Sequence, residues 1–105
     1  MAKLITIYWR DIPSQVIAKQ GRKNAKVQLS RRFQVFIDKA AMRAGRQGSG
    51  QYLDDWRRVY QECGGDLEKE AGLAAERFEK NYSNERLKQL AKSNGLDPGK
   101  TEWEV

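Results

Sequence analysis

The chain has 105 residues, of which 39% are hydrophobic and 32% are charged, and its formal net charge is +6. This length suits one domain with a single modest core. Its three Trp, four Tyr and three Phe are unusual for a disordered chain, and no segment approaches the ~20 apolar residues of a membrane-spanning helix. We therefore expect a globular protein that does not cross a membrane.

The N-terminal segment and the cysteine content of the sequence favour a cytoplasmic location. The apolar stretch from Leu4 to Trp9 is broken by Arg10 and Asp11, and it lacks the length and the cleavage site of a secretory signal. Cys63 is the single cysteine, so the chain cannot form an internal disulfide. We expect a soluble, cytoplasmic protein.

The side chains on which most enzymes depend are missing or lack a partner. The sequence contains no histidine, and Cys63 therefore has no imidazole that could generate its thiolate. No P-loop, GxGxxG or CxxC motif is present, and the carboxylates of the C-terminal half are interspersed with Lys and Arg. We expect no catalytic residues, no metal and no cofactor, and hence no enzymatic activity of this chain on its own.

The first 29 residues predict a three-stranded antiparallel meander. Its strands are expected over residues 3–9, 15–19 and 25–29. Pro13 cannot donate a hydrogen bond to a neighbouring strand, which indicates a turn over 11–14. A second turn is predicted over 21–24, and connections this short favour antiparallel pairing.

From Ser30 onward the apolar residues follow the spacing of amphipathic helices. Ser30 is a suitable N-cap for the first helix, and Gly45 stands where a helix-ending glycine is expected. The second predicted helix rests on the apolar residues Tyr52, Leu53, Trp56, Val59 and Tyr60.

Two further helices are predicted toward the C-terminus. Asp66 is expected to cap the third, which contains Gly72, and Ser83 the fourth, which should close at Asn94-Gly95. The whole pattern predicts one α+β domain over residues 1–95, in which the meander packs against three to four helices. Residues 96–105 are expected to form a C-terminal tail.

The positive charge is concentrated in the first half of the chain. Residues 1–46 contain eleven Lys and Arg against two Asp, a net charge of +9, whereas residues 47–105 have a net charge of −3. Arg31 and Arg32 fall at a helix start, where the helix dipole disfavours cations unless an anion compensates them. This basic half is either a binding surface for phosphates, whether of RNA, DNA or an anionic ligand, or a solubilising surface that protects a sheet edge.

Two groups of aromatic residues allow alternative interpretations. Tyr8, Trp9 and Arg10 resemble a stacking platform for single-stranded nucleic acid, although a buried Trp9 in the core is the simpler interpretation. Trp103 stands between two glutamates in the predicted tail and has no core to enter, so it is expected to dock on the domain or on a partner. The candidate partner- or anion-binding residues are Arg10, Arg22, Lys23, Lys26, Arg31, Arg32 and Trp103.

Three strings of residues resemble a small bacterial domain family known as "virulence factor". They are Ile7-Tyr8-Trp9-Arg10-Asp11-Ile12-Pro13-Ser14-Gln15-Val16-Ile17, the segment from Phe33 to Arg43, and Tyr52-Leu53-Asp54-Asp55-Trp56-Arg57-Arg58. The similarity covers roughly residues 3–92. In this family the domain occurs alone or fused to HEAT-like repeats and an iron–sulfur-scaffold-like module.

The resemblance implies no defined catalytic residues. Together with the missing catalytic groups, it favours a non-catalytic accessory or adaptor domain that binds a protein partner. The family setting further implies a small subunit of a folate- and corrinoid-linked one-carbon system. The alternative is an RNA-binding module that uses the basic N-terminal half.

Overall fold

The computed structural model describes residues 2–45 and 50–97. The fold is α+β, with one four-stranded antiparallel sheet and four helices in the described ranges. None of these helices has the length and apolar character needed to cross a membrane. The elements in chain order are β1 (Lys3–Trp9), β2 (Ile12–Gln20), β3 (Lys23–Gln28), α1 (Arg31–Arg43), α2 (Gly50–Asp54), β4 (Trp56–Glu62), α3 (Leu67–Asn81) and α4 (Asn84–Lys92).

The sheet has the strand order β3-β2-β1-β4. The first three strands form the predicted antiparallel meander, in which each strand pairs with the next along the chain. The fourth strand pairs with the other edge of β1. The predicted sheet was therefore incomplete, because its last strand comes from a segment that follows two helices.

The prediction of a helix through Tyr52 and Tyr60 was wrong. The helix α2 spans only five residues, and β4 follows it and pairs with β1 from Trp9 opposite Trp56 to Lys3 opposite Glu62. In a short apolar segment, the spacing of the apolar residues does not distinguish a helix from a strand. The open edge of β1 decides the outcome here, since it offers a full set of backbone hydrogen bonds to a seven-residue strand.

The predicted turn over 11–14 is shorter in the structure. Only Arg10 and Asp11 connect β1 to β2, and Arg10 has a positive φ of 53°. Pro13 lies inside β2, next to a β-bulge in the pairing with β1. Because β3 pairs with β2 only from Gln15 onward, Pro13 does not have to donate a hydrogen bond to β3.

The second hairpin is also tighter than predicted. Gly21 and Arg22 alone connect β2 to β3, and Gly21 has a φ of 61°, which glycine adopts without steric cost. The strand β3 therefore begins at Lys23, two residues before the predicted start. It ends at Gln28, and the backbone N–H of Leu29 donates to the carbonyl of Ser14.

The core lies between the sheet and the helices. From the sheet, Leu4, Val16 and Ala18 are buried, and they share one cluster with Ala71 and Ala74 of α3. Alanines on this face let the helix backbone approach the sheet closely. The same cluster contains Trp9, which is fully buried as predicted, together with apolar residues of α1 and α4.

The helix ends follow the predicted caps with one exception. Asp66 and Ser83 accept hydrogen bonds from backbone N–H groups three residues later, as predicted for N-caps. Gly45 follows α1 with a φ of 70°, again as predicted. Ser30 precedes α1 but makes no side-chain cap, because its hydroxyl donates to Glu79 instead.

Candidate functional site

The structure separates the predicted site residues into four groups. Arg10 and Arg32 are half-buried. Arg22, Lys23 and Lys26 are exposed on the β2–β3 hairpin, and Arg31 is exposed at the start of α1. Trp103 lies outside the described residues, together with most of the predicted tail. The six members that the structure describes lie on separate segments and have different neighbours.

Arg10 holds the β1–β2 turn in place. Its Nη1 donates to the carbonyl of Asn94 at 2.8 Å, and its Nε lies 3.4 Å from Oδ2 of Asp55. Its guanidinium stacks near the Trp9 ring, 5.1 Å from the centroid, while its own carbonyl accepts from Arg57 Nε at 2.8 Å. Only 12% of the Arg10 side chain is exposed. Arg10 therefore has a structural role.

Arg32 is likewise held inside the chain. Its Nη2 donates to the carbonyl and to Oε1 of Glu79, at 2.9 and 3.2 Å, and its Nη1 donates to the carbonyl of Tyr82. The guanidinium lies 4.6 Å from the centroid of the Phe33 ring. The compensating anion that the sequence suggested for this helix start is, for Arg32, a carboxylate of α3.

Glu79 also binds the backbone at the start of α1. Its Oε2 accepts a hydrogen bond from the N–H of Ser30 at 2.7 Å, and its Oε1 accepts one from the Ser30 hydroxyl at 2.8 Å. Partial burial by itself raises the pKa of Glu79, but these hydrogen bonds and the charge of Arg32 outweigh it, so the pKa lies below its ordinary value. The carboxylate thus stabilises the positive end of the helix dipole.

The cations of the β2–β3 hairpin differ in their surroundings. Arg22 and Lys23 line a surface depression that also contains Asp66 and Glu68 at the start of α3. Their charge is therefore partly balanced by neighbouring carboxylates. Lys26 instead stands on the sheet, opposite Ile17 in the pairing of β2 with β3.

The sheet face opposite α3, called the open face below, carries three rows of side chains that cross all four strands. Alternate residues of a strand share a face, and the pairing register aligns them across the sheet. The rows are Glu62–Lys3–Lys19–Asn24, Tyr60–Ile5–Ile17–Lys26 and Arg58–Ile7–Gln15–Gln28.

The open face has an apolar centre surrounded by cations. Tyr60 in the central row is 57% exposed, whereas its neighbour Ile5 is buried. Glu62 supplies the only carboxylate in the three rows. The exposed cations are Lys3, Lys19, Lys26 and Arg58.

Of the predicted binding residues, Lys26 is the one that belongs to this surface. Arg58 and Tyr60 were assigned to a helix, so they could not be placed beside β1. The signal that could have found them is the β-forming content of the segment from Trp56 to Tyr60, which contains Val59 between two aromatics.

A groove lies on the other side of the sheet, where β1 and β4 extend beyond the cover of α3. This arginine–tyrosine groove has a volume of about 540 Å³. Its apolar lining is Leu4, Val59, Ala74 and Phe78. Its polar lining is Thr6, Gln61, Asn81 and the two exposed arginines Arg77 and Arg86. Two phenol rings, Tyr8 and Tyr82, complete it.

The phenol rings of the groove are held by contacts with neighbouring rings and guanidiniums. Tyr8 meets the edge of Phe78 with ring centroids 6.1 Å apart, and Arg57 lies 4.6 Å from the Tyr8 centroid. Arg86 lies 4.2 Å from the centroid of Tyr82. Burial, followed by the neighbouring Tyr82, raises the pKa of Tyr8 despite the opposing charge of Arg57. Tyr8 is therefore a protonated hydrogen-bond donor at neutral pH.

Neither surface has the donors of a metal centre. Within residues 2–45 and 50–97, no three Cys, Asp or Glu side chains come together as a metal site would require. Cys63 is partly buried, and burial raises the pKa of its thiol, with a further contribution from Glu70. Such a shift keeps the sulfur protonated and weakly nucleophilic at neutral pH.

The comparisons with known proteins agree with the resemblance seen in the sequence. A family model described as "Virulence factor" matches residues 7–91, which run from β1 to the end of the apolar part of α4. No curated protein and no solved structure matches the chain. Because the family model covers well over half of the 105 residues, the chain belongs to the Virulence factor family.

Proposed function

We propose that the chain is a non-catalytic binding module that holds single-stranded RNA on its open face. The observation that carries the proposal is the exposed Tyr60 among four cations on a sheet face that α3 leaves free. Antiparallel sheets of this kind bind RNA in several unrelated modules, where bases stack on strand aromatics and phosphates pair with Lys and Arg. The chain carries no sequence signature of those modules, so the proposal depends on the chemistry of the face.

The three rows supply each type of contact that a single strand needs. Tyr60 offers a ring on which one base can stack, and the half-buried Ile7 and Ile17 extend the apolar surface beside it. The amide of Gln15 can bond base edges. The spacing of neighbouring strands, about 4.8 Å, places Lys and Arg within reach of successive phosphates.

The test is a fluorescence anisotropy titration with a labelled single-stranded oligouridylate over a series of salt concentrations. Tyr60→Ala should weaken binding by about tenfold, since one stacked base contributes ~1–3 kcal/mol. The double change Lys19→Ala/Lys26→Ala should lower the salt slope by about 1.4, because each phosphate contact on a single strand contributes ~0.7.

Lys69→Ala on α3 is the matched control, because this exposed cation lies off the open face. It should leave both affinity and salt slope unchanged. RNA binding would be contradicted if the chain does not bind the oligouridylate at low salt, or if Lys69→Ala weakens binding as much as the changes on the open face do.

The same face also supports a second candidate, the accessory or adaptor domain that binds a protein. The specific observation is its apolar centre, formed by Ile5, Ile7, Ile17 and Tyr60, since charges are depleted at the centre of protein interfaces. A small subunit of a one-carbon complex would use the surface in this way.

Affinity purification from native cells, with and without nuclease, separates the two candidates. A protein that co-purifies in stoichiometric amount after nuclease treatment, and that Tyr60→Asp no longer recovers, supports the adaptor. Its identification by mass spectrometry tests the one-carbon link. Recovery of RNA alone supports the RNA-binding module.

A further inference from the structure

We propose that the arginine–tyrosine groove binds a small organic anion, with its carboxylate or phosphate between Arg77 and Arg86 and its apolar part against Phe78. This site is on the helix side of the sheet and is independent of the open face. Its ligand class follows from the charge, size and lining of the groove.

The charge of the groove is positive and largely uncompensated. No carboxylate of the described residues lines it. Arg77 forms no ion pair within the described ranges, and Arg86 forms a long one with Asp97, whose Oδ2 lies 4.0 Å from Nη2. Two guanidiniums in one concave surface, of which only Arg86 has a carboxylate partner and that one at 4.0 Å, attract an oxyanion through charge-assisted hydrogen bonds.

The volume and lining suit a small organic ligand. About 540 Å³ falls within the range of ~300–1,000 Å³ that small-molecule sites occupy. Leu4 and Val59 form an apolar floor on the sheet, and Phe78 forms an apolar wall on α3. The hydroxyl of Tyr8 is a further donor beside them. An organic anion with a flat apolar part fits this combination of polar and apolar lining better than an inorganic ion does.

Arg86 and Tyr8 are positioned before any ligand arrives. Arg86 stacks on Tyr82, and its Nη1 donates to the carbonyl of Asn81 at 3.1 Å. Tyr8 is fixed between Phe78 and Arg57 by ring contacts. A rigid site loses less conformational entropy on binding, which makes a measurable affinity attainable with few contacts.

Phenyl phosphate and benzoate are suitable probes, because they share one ring and differ in the oxyanion. Each is titrated into the full chain at millimolar concentration while backbone amide NMR signals are followed, with benzyl alcohol as a neutral reference. We expect shifts at amides of β1, β4 and α3 that line the groove, from one or both anions but not from the alcohol. The tighter anion identifies the oxyanion class.

Arg77→Ala is the first variant, since this exposed side chain makes no ion pair in the described ranges and its removal should not disturb folding. It should weaken binding by about tenfold, as loss of a charge-assisted hydrogen bond predicts. Arg77→Ala/Arg86→Ala should remove binding. Lys80→Ala, an exposed cation on the same helix outside the groove lining, should bind as the unmodified chain does. No groove shifts with either anion, or unchanged binding in Arg77→Ala, would overturn the proposal.

Discussion

Gly95 shows how one residue fixes the end of the described chain against the sheet. It has a φ of 84°, and a Cβ on it would lie 2.7 Å from Cζ3 of Trp9. Its carbonyl accepts from the N–H of Asp11 at 2.8 Å, and the Asp11 carboxylate in turn accepts from the N–H of Asp97. The segment after α4 is therefore joined to the β1–β2 turn by close backbone contact.

We predict that Gly95→Ala lowers the free energy of unfolding by about 2–4 kcal/mol. Trp9 is fully buried and cannot move aside, and alanine is strained at this positive φ. Urea denaturation followed by tryptophan fluorescence measures the change. Gly72→Ala is the matched control, because nothing lies within 4 Å of its added Cβ and the site is inside α3.

The control should change stability in the opposite direction. Alanine is favoured over glycine within a helix by up to ~1 kcal/mol, so Gly72→Ala should stabilise the protein. Equal effects of the two substitutions would show that the contact between Gly95 and Trp9 does not restrict the chain.

At the scale of elements, the start of α1 depends on a side chain from α3. Glu79 binds the backbone and hydroxyl of Ser30 and pairs with Arg32, which also donates to carbonyls at the end of α3. Glu79 thereby supplies a partner for the backbone N–H of Ser30, directly before α1. These contacts link the N-terminus of one helix to the C-terminus of another, so neither end is formed by local sequence alone.

We predict that the charge of Glu79 makes the free energy of unfolding depend on pH. Its pKa is lower in the folded chain than in the unfolded one, so its contribution is present above the unfolded pKa and is lost as the pH falls through the folded pKa. The unfolding free energy should therefore fall as the pH drops below the unfolded-state pKa of glutamate, about 4.3. Glu79→Gln should remove about 1 kcal/mol at neutral pH, a modest value because a third of the side chain is exposed.

Urea titrations at a series of pH values test this prediction. The difference between the original chain and Glu79→Gln should shrink toward low pH, as the carboxylate becomes protonated. Glu76→Gln on the same helix is the control, because Glu76 is exposed and makes no ion pair in the described ranges. A pH-independent difference for Glu79→Gln would mean that its charge does not stabilise α1.

At the scale of the whole molecule, the two sheet faces have different roles. One face is buried under α3 or lines the arginine–tyrosine groove, while the other carries exposed cations around Tyr60. Lys3 and Lys19 lie directly opposite each other in the β1–β2 pairing. Like charges in that position are destabilising, so this arrangement costs stability that a ligand of opposite charge would restore.

We predict that Lys19→Glu raises the unfolding free energy by up to ~1 kcal/mol at low ionic strength, because an attractive pair replaces a repulsive one. The gain should disappear in high salt. Denaturation at two salt concentrations measures both effects. Lys19→Gln, which removes the repulsion without adding attraction, should give an intermediate value. A less stable Lys19→Glu would show that Lys3 and Lys19 do not repel each other.

Local patterns in the sequence were sufficient for several elements. The β-branched and aromatic content of residues 3–9 predicted β1, and the caps Asp66 and Ser83 predicted the starts of α3 and α4. These features depend on neighbours within a few residues, which is why spacing and residue type reveal them. The Virulence factor resemblance rested on the same kind of contiguous strings.

Other features were decided by residues far apart in the chain. Trp56–Glu62 forms a strand because β1 has an open edge, and Pro13 fits inside β2 because β3 does not reach it. Ser30 loses its cap to Glu79, and Arg32 finds its counter-ion there too. No local pattern contains the partner in these cases.

The sequence by itself therefore determined the α+β composition, the basic character and the family. Only the tertiary structure decided which cations are structural and which are free to bind. Arg10 and Arg32 are held by backbone carbonyls and carboxylates from distant segments, whereas Lys26 stands exposed on the open face beside residues of other strands. The physical reason is that the affinity of a charged side chain for a ligand depends on its burial and on its neighbours. Only the folded chain brings those neighbours together.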